Sequence, residues 1–146
     1  MKIFVIGLLL VCLSSCEEEH KNTIVGTWEL QTGIVIKNKD SVATDYTKGQ
    51  RLIKIINDTH FSFLRHDLKK GTDTTSVFIA GGGSYSFDGK TYKEKLEFCT
   101  GRSWEGKDFS FEIEFKNDTL IQRGFEKNEA IGVDQEIIET YVRTNK

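Results

Sequence analysis

The chain has 146 residues, the length of one ordinary domain, and its 38% of hydrophobic and 29% of charged residues are too apolar a mixture for a disordered chain. Lys and Arg number 20 against 22 Asp and Glu, and the formal net charge of −2 excludes the basic footprint of a nucleic-acid-binding protein. With three Cys and three His the chain is poor in metal ligands and general bases, so we expect neither a metal site nor a cofactor.

The N-terminal residues are predicted to be a targeting signal. Lys2 precedes residues 3–13, an apolar run of eleven residues that is too short to span a bilayer as a helix, which needs about twenty. The run ends in Leu13-Ser14-Ser15-Cys16, which resembles the lipobox of bacterial lipoproteins. The resemblance implies a signal peptide of residues 1–15, cleavage before Cys16, and a membrane anchor through lipid on the Cys16 thiol. The alternative is an ordinary secretory signal followed by an unrelated Cys.

Residues 16–23 are predicted to be an acidic, lipidated tether. Residues 17–22 contain three consecutive Glu and no apolar side chain to bury, a composition that is usually a solvated linker. Acidic residues directly after a lipidated Cys also resemble the surface-export signal of lipoproteins in some Gram-negative bacteria. We therefore expect an outer-membrane lipoprotein of the cell envelope, exposed at the cell surface under the second interpretation.

From residue 24 onward the apolar residues recur mostly at every second position, which predicts strands. The clearest case is residues 108–115, where Phe109, Phe111, Ile113 and Phe115 share one face. Turn pairs such as Asn57-Asp58, Asp88-Gly89 and Asn117-Asp118 separate such runs, which is a signal for hairpins. This pattern is typical of an antiparallel sheet that buries one face and exposes the other face to solvent.

Ten strands are predicted, at about 25–31, 33–38, 50–57, 60–66, 76–81, 83–88, 91–98, 108–116, 119–125 and 136–143. No segment shows three turns of helical period, and only residues 129–138 are expected to hold a short helical turn. Gly81, Gly82 and Gly83 predict a bulge or a corner. Eight to ten short antiparallel strands suit a barrel or a sandwich, and we predict an all-β, up-and-down barrel over residues 24–146.

Several motifs resemble those of small lipocalin-like domains of bacterial lipoproteins. They are Gly26-Thr27-Trp28, Gly82-Gly83-Ser84-Tyr85-Ser86-Phe87, Thr91-Tyr92-Lys93-Glu94 and Glu139-Thr140-Tyr141-Val142-Arg143. The resemblance covers residues 24–145. It implies a calycin-type barrel in which Trp28 is buried and Arg143, from the last strand, packs across its indole and closes the floor. The C-terminal helix and the middle loop motif of lipocalins are absent from the sequence, so the resemblance does not imply a plain carrier of fatty ligands.

Histidine and cysteine offer little for catalysis or metal binding. His60 and His66 share the strand face opposite Phe61 and Phe63, which predicts that both imidazoles are solvated. They lie roughly 20 Å apart along an extended strand, so they cannot chelate one metal ion. Cys99 has no disulfide partner once the N-terminal cysteines are assigned to the signal and the anchor, and no base lies beside it in the sequence.

The polar residues predicted on inward faces are the candidate site. Glu94 alternates with Tyr92, Leu96 and Phe98, Arg65 lies beside Phe61 and Phe63, and Arg123 lies between Ile121 and Phe125. A buried lone charge is costly, so these side chains either pair as internal struts or line a cavity that orients a ligand. Under the second interpretation the ligand-binding residues are Arg65, Tyr85, Tyr92, Glu94 and Arg123.

The sequence favours a membrane-anchored, non-enzymatic monomer that binds a small, partly apolar ligand inside the barrel. An enzyme is disfavoured because no nucleophile, base and orienting group occur together in the sequence. The alternative is an envelope interaction or structural protein whose barrel is filled. A sizeable internal cavity would favour the first function, and a filled interior beside an exposed aromatic patch, for which Trp104 is a candidate, would favour the second.

Overall fold

The computed structural model describes residues 23–144, so the predicted signal peptide, Cys16 and nearly all of the tether lie outside the described residues. Nine strands and two short 3-10 helices form this part of the chain. They are β1 (Gly26–Lys37), β2 (Asp40–Asp45), β3 (Gln50–Ile56), β4 (His60–Asp67), β5 (Phe78–Phe87), β6 (Thr91–Cys99), a 3-10 helix (Arg102–Trp104), β7 (Lys107–Lys116), β8 (Thr119–Asn128), a 3-10 helix (Glu129–Ile131) and β9 (Val133–Arg143). Neither helix in this range is long or apolar enough to cross a membrane.

Eight of the strands close into an antiparallel barrel. From β3 to β9 each strand pairs with the next one in the chain, and β1 pairs with both β3 and β9 to complete the ring. This up-and-down closure confirms the predicted fold class, and the architecture is consistent with a lipocalin-like fold. The short helical turn expected within residues 129–138 is also present, at Glu129–Ile131.

Two strands, β2 and β3, pair with different parts of the same edge of β1. The first part of β1, residues 26–29, pairs with β3, whereas residues 32–37 pair with β2. The chain leaves the wall between β2 and β3, over residues 46–49. The sequence did not predict β2, because its side chains are almost all exposed and leave no alternation to detect.

Bulges explain where predicted and observed strands differ. The predicted strands 25–31 and 33–38 are one continuous strand, β1, whose pairing with β9 shifts register between Leu30 and Thr32. The predicted strands 76–81 and 83–88 are likewise one strand, β5, and the shift between Gly82 and Gly83 confirms the predicted bulge. On β6 the extra residue of this bulge is Glu97, because Gly82 pairs with residue 98 and Gly83 with residue 96.

The bulge overturns one prediction about the interior. A bulged residue reverses the alternation of the strand beyond it. Phe98 was expected to point inward, but its side chain is 68% exposed, and Cys99 takes the buried position instead. The glycine at position 83 is required here, since a Cβ at that position would collide with the Lys95 carbonyl oxygen.

The two ends of the barrel differ in their connections. At one end β3–β4, β5–β6 and β7–β8 are joined by the predicted tight turns at residues 57–59, 88–90 and 117–118. Longer segments join strands at the other end, over residues 68–77 and 100–106. We call the first the closed end and the second the open end.

Candidate functional site

The closed end is sealed by Trp28 and Arg143. The Trp28 side chain is 1% exposed, and the guanidinium carbon of Arg143 lies 4.1 Å from the centroid of its ring. The indole Nε1–H donates to the Ile24 carbonyl oxygen at 2.8 Å. Arg143 donates from Nη1 to the Val25 carbonyl oxygen at 2.9 Å and from Nη2 to the Thr23 carbonyl oxygen at 2.6 Å. The contact expected from the sequence is present, and the buried indole and the guanidinium together close this end of the barrel.

The backbone conformation and the close approach of Arg143 explain why position 26 is a glycine. Its φ is +150°, a conformation that side chains rarely adopt. A Cβ at position 26 would also collide with Nη1 of Arg143, so only glycine lets the guanidinium pass across the first strand to reach Trp28. The spacing of Gly26 and Trp28 therefore has a direct steric cause.

A cavity of about 200 Å³ lies toward the open end. Apolar and aromatic side chains form most of its wall, and a few polar groups from β3, β6, β8 and β9 point into it. The lining residues are Leu52, Lys54, Phe63, Ile79, Glu94, Leu96, Cys99, Trp104, Phe109, Phe111, Gln122, Glu126, Ile137, Glu139 and Tyr141. An apolar wall with a few convergent polar groups is the usual composition of a small-molecule site.

Lys54 and Glu94 form a buried ion pair on the cavity wall. Lys54 Nζ donates to Glu94 Oε1 at 2.9 Å and to Gln122 Oε1 at 3.0 Å. The side chains of the ion pair are 7% and 8% exposed. The interpretation of Glu94 as an inward carboxylate is confirmed, but its partner is Lys54 and not Arg65. Removing either member would leave an uncompensated buried charge, which is strongly destabilising.

The Lys54 ammonium is surrounded by aromatic rings. It lies 5.3 Å from the ring centroid of Tyr141, 5.5 Å from that of Tyr92 and 6.0 Å from that of Phe61. Rings at such distances attract a cation through their negative faces. The Tyr92 hydroxyl is buried without a hydrogen-bond partner in the described residues, and burial, together with the charge of Glu94, raises its pKa.

Two more carboxyl groups, Glu126 and Glu139, line the cavity. Glu139 Oε2 accepts from the Tyr141 hydroxyl at 2.7 Å and from Gln122 Nε2 at 3.2 Å, and Glu126 Oε2 accepts from Gln135 Nε2 at 2.8 Å. Burial raises the pKa of both carboxyl groups, and the charge of Glu94 raises both further. These groups are partly buried acids with neutral donors around them.

Arg65 lies beside residues 46–50, where the chain passes from β2 to β3, and not on the cavity wall. It shares the inward face of β4 with Phe61 and Phe63, as predicted, but its Nε donates to Gln50 Oε1 at 2.8 Å and its guanidinium lies over the Tyr46 ring at 5.2 Å. The alternative in which Arg65 pairs with Glu94 as an internal strut is wrong. The two residues lie at different heights in the barrel, which alternation along single strands does not reveal.

Arg123 points outward, which corrects its predicted inward orientation. Its side chain is 58% exposed and pairs with Glu136 on the outer surface at 2.5 Å. Cross-strand partners share a face, and the partners of Gln122 and Gly124 are the inward residues Ile113 and Phe111. Apolar residues occur on both faces of β8. The sequence pattern therefore did not show which face is inward, and the prediction chose the wrong face. The flanking Phe125 is accordingly 66% exposed.

The two tyrosines predicted to bind ligand lie next to the cavity residues but not on the cavity wall. Tyr85 and Tyr92 pack together with ring centroids 5.3 Å apart. The Tyr85 hydroxyl donates to the Asn57 carbonyl oxygen at 2.7 Å, at the closed end. Tyr92 is fully buried, one inward position from Glu94 on β6.

The two histidines take the places expected from the sequence. His60 and His66 are exposed on the outer face of β4, whereas Cys99 is a free, buried thiol on the cavity wall. Within residues 23–144 no three His, Cys, Asp or Glu side chains are placed to hold a metal ion.

Several cavity residues escaped the sequence interpretation. They are polar residues in strands that carry apolar residues on both faces, so the sequence did not show whether their side chains point inward. These residues are Lys54, Gln122, Glu126 and Glu139. Trp104, a candidate for an exposed patch only under the alternative of a filled barrel, lines the cavity and packs on Phe109 with ring centroids 5.9 Å apart. A detectable signal was a Gln and a Glu four residues apart on each of the last two strands, at 122 and 126 and at 135 and 139, since that spacing puts both on one face.

Comparison of the chain with models of known protein families gives no match, and comparison with curated proteins gives none either. The class of the protein therefore rests on its architecture, a closed eight-stranded antiparallel barrel with a sealed end and an internal cavity.

Proposed function

We propose that this protein is a membrane-anchored, lipocalin-like binding protein that holds a small, partly apolar ligand in the barrel. The observation that carries the proposal is the cavity of about 200 Å³, whose apolar wall is interrupted by a few converging polar side chains. A cavity of about 150 Å³ is large enough for benzene, so the occupant is of the size of one ring with a short polar arm. This ligand is smaller than a fatty acid.

Blocking the cavity tests this function. Leu52 lines it, whereas Leu64 on the adjacent strand is 39% exposed on the outer face, so Leu52→Trp and Leu64→Trp are a matched pair. Titration with 2-phenylethanol, followed by calorimetry and protein NMR, should show binding to the wild type and to Leu64→Trp and none to Leu52→Trp. Native mass spectrometry of protein from its own host should show the same pattern for a copurified ligand. Equal binding by both variants would contradict the proposal.

We infer from the sequence that the anchor is a lipid on Cys16, and that the protein belongs to the outer membrane. The apolar run followed by Leu13-Ser14-Ser15-Cys16 supports this inference. Two or more acyl chains give stable anchoring where one chain does not. In fractionated cells Cys16→Ser should move from the membrane to the soluble fraction, and an unchanged membrane fraction would contradict the anchor. Protease treatment of intact cells would then test surface exposure.

A second candidate function, an envelope interaction protein, is favoured by exposed aromatic residues on the outer face. Phe78 and Phe98 lie on the adjacent strands β5 and β6 and are 65% and 68% exposed. Exposed apolar surface of this kind is a candidate for contact with another protein. Cross-linking in intact envelopes should then capture a partner with the wild type and not with the Phe78→Ser, Phe98→Ser variant.

A further inference from the structure

The cavity wall contains more carboxyl groups than cations. Its charged residues are Lys54, Glu94, Glu126 and Glu139, and Lys54 is committed to Glu94 at 2.9 Å. Glu126 and Glu139 accept hydrogen bonds only from neutral side chains, and within residues 23–144 no cation lies at ion-pair distance from either. Two partly buried acids are therefore left without a cation at ion-pair distance, and the positive charge that acts on them is the more distant one of Lys54.

This arrangement is costly for an empty barrel. Burial raises the pKa of both carboxyl groups, and the charge on Glu139 raises that of Glu126 further. A cation placed between them would relieve both the lost hydration and the mutual repulsion. An anion would instead meet three carboxyl groups and a single ammonium group, so the charges on the wall favour a cation over an anion.

The barrel already accommodates one ammonium group in aromatic surroundings. Lys54 Nζ is held by a carboxylate, an amide oxygen and the faces of three rings. The remaining carboxyl groups share the cavity with further aromatic residues, Trp104, Phe109 and Phe111. The same chemistry is therefore available to a second ammonium group, one supplied by a ligand.

We propose that the ligand is a small organic cation, an amine carried by a ring or a short apolar chain. Its ammonium group pairs with Glu139 and Glu126, and its apolar part lies against Trp104 and Phe109. This inference rests on the proposed ligand-binding function and specifies the chemical class of the ligand. The amine must be small, because the cavity holds little more than one ring and its substituent.

Three probes with the same ring and different head groups test the inference. They are 2-phenylethylamine, which is cationic at neutral pH, 2-phenylethanol, which is neutral, and 3-phenylpropanoate, which is anionic. Calorimetric titration should give an affinity for the amine about ten- to a hundredfold above that for the alcohol, the range of one charge-assisted hydrogen bond. The anion should bind most weakly.

Charge-neutral variants assign the effect to the cavity. Glu139→Gln should reduce the affinity for the amine to near that for the alcohol, so that the ratio of the two affinities falls toward one. Glu126→Gln provides a second variant should the first fail to fold. The matched control is Glu114→Gln on the outer face, whose carboxylate is 61% exposed, and it should behave as the wild type.

The outcomes separate this inference from the proposed function. Tight binding of the alcohol or the anion, lost in Leu52→Trp, would overturn the amine and leave ligand binding intact. Amine binding that neither Leu52→Trp nor Glu139→Gln weakens would place the site elsewhere and overturn the inference. If the folded wild type binds none of the three probes, both the inference and the proposed function are wrong.

Discussion

The two ends of the barrel each hold a cation against aromatic rings, but they surround it differently. At the closed end Arg143 lies over Trp28 and donates to backbone carbonyl oxygens of residues 23 and 25. Toward the open end Lys54 lies among three rings and is paired with the carboxylate of Glu94, beside a cavity. The first cation uses only main-chain partners, whereas the second depends on another buried charge.

This difference separates a structural contact from a candidate binding site. Well-packed apolar residues often replace a buried ion pair without loss of stability, so stability alone does not explain Lys54 and Glu94. Such an explanation is sufficient for Arg143, whose removal would open the barrel floor. We infer that the polar groups around the cavity are retained for a ligand and those at the closed end for the fold.

The largest expected effect is at the closed end. Trp28→Ala should lower the free energy of unfolding by about 3–5 kcal/mol, the range for emptying a large aromatic site. Urea denaturation followed by circular dichroism measures this, with Trp28→Phe as the control that keeps a ring and loses less. A loss below about 1 kcal/mol would contradict the structural role of the seal.

The buried ion pair provides the next effect. Glu94→Gln should cost about 3 kcal/mol, because it leaves the Lys54 ammonium buried without its carboxylate. The double variant Lys54→Met, Glu94→Gln should recover most of that loss, and the exposed control Glu114→Gln should change stability by less than about 0.5 kcal/mol. If Glu94→Gln alone leaves the free energy of unfolding unchanged in chemical denaturation, the ion pair does not stabilise the fold as its geometry indicates.

A smaller loss is expected at Gly26. Gly26→Ala should cost about 2 kcal/mol, since the new Cβ strains a positive φ and displaces the guanidinium of Arg143. Gly89→Ala is the control, because its φ is also positive, at +98°, but nothing lies within 4 Å of the added atom. Equal thermal stability of the two variants would show that backbone strain, and not the collision with Arg143, determines the cost.

The smallest expected effect is a change in the pH dependence of stability. Burial raises the pKa of Glu139 above its ordinary value of 4.5. Between pH 4.5 and that higher native pKa, the Glu139 carboxyl is therefore protonated in the native state and ionised in the unfolded state. Its contribution to stability is therefore greatest below pH 4.5 and is lost as the pH rises toward the native value. The charge of Glu139 also raises the pKa of Glu126, so removing that charge should lower the pKa of Glu126 and change the pH dependence in the same direction.

Chemical denaturation across mildly acidic to neutral pH checks this sign. Glu139→Gln should lose less stability than the wild type as the pH rises over this range, whatever its stability at the starting pH. Glu114→Gln should follow the wild-type slope. A steeper decrease in Glu139→Gln than in the wild type would show that Glu139 is ionised at little cost.

Alternation and turn residues were sufficient to predict the fold class. Phe109, Phe111 and Ile113 marked an inward face that the structure retains, and the turn at Asn117-Asp118 marked a real hairpin. The inward face and the hairpin depend on local geometry, so a linear pattern contains them. The contact of Arg143 with Trp28 was implied by the resemblance to lipocalin-like domains and not by the pattern itself.

The candidate site was only partly predictable, because its contacts run across the barrel interior. Glu94 was identified by its apolar neighbours on one strand. Its partner Lys54 lies on β3, which is not adjacent to β6, and only the diameter and stagger of the closed barrel bring the two together. Arg123 was misplaced and Glu139 missed for a different reason, because apolar residues lie on both faces of their strands and the pattern does not show which face is inward.

The pairing of β1 with β9 has a consequence for how the barrel is made. Arg143 and Val25, which share a hydrogen bond, are 118 residues apart in the sequence. During synthesis the first strand has one edge without its partner until the last strand emerges, so the ring closes only when the whole domain is present. Barrels dominated by such non-local pairings have high contact order and fold in roughly milliseconds to seconds. Until then β1 offers an unpaired edge, which makes the folding chain, more than the finished barrel, the species exposed to aggregation.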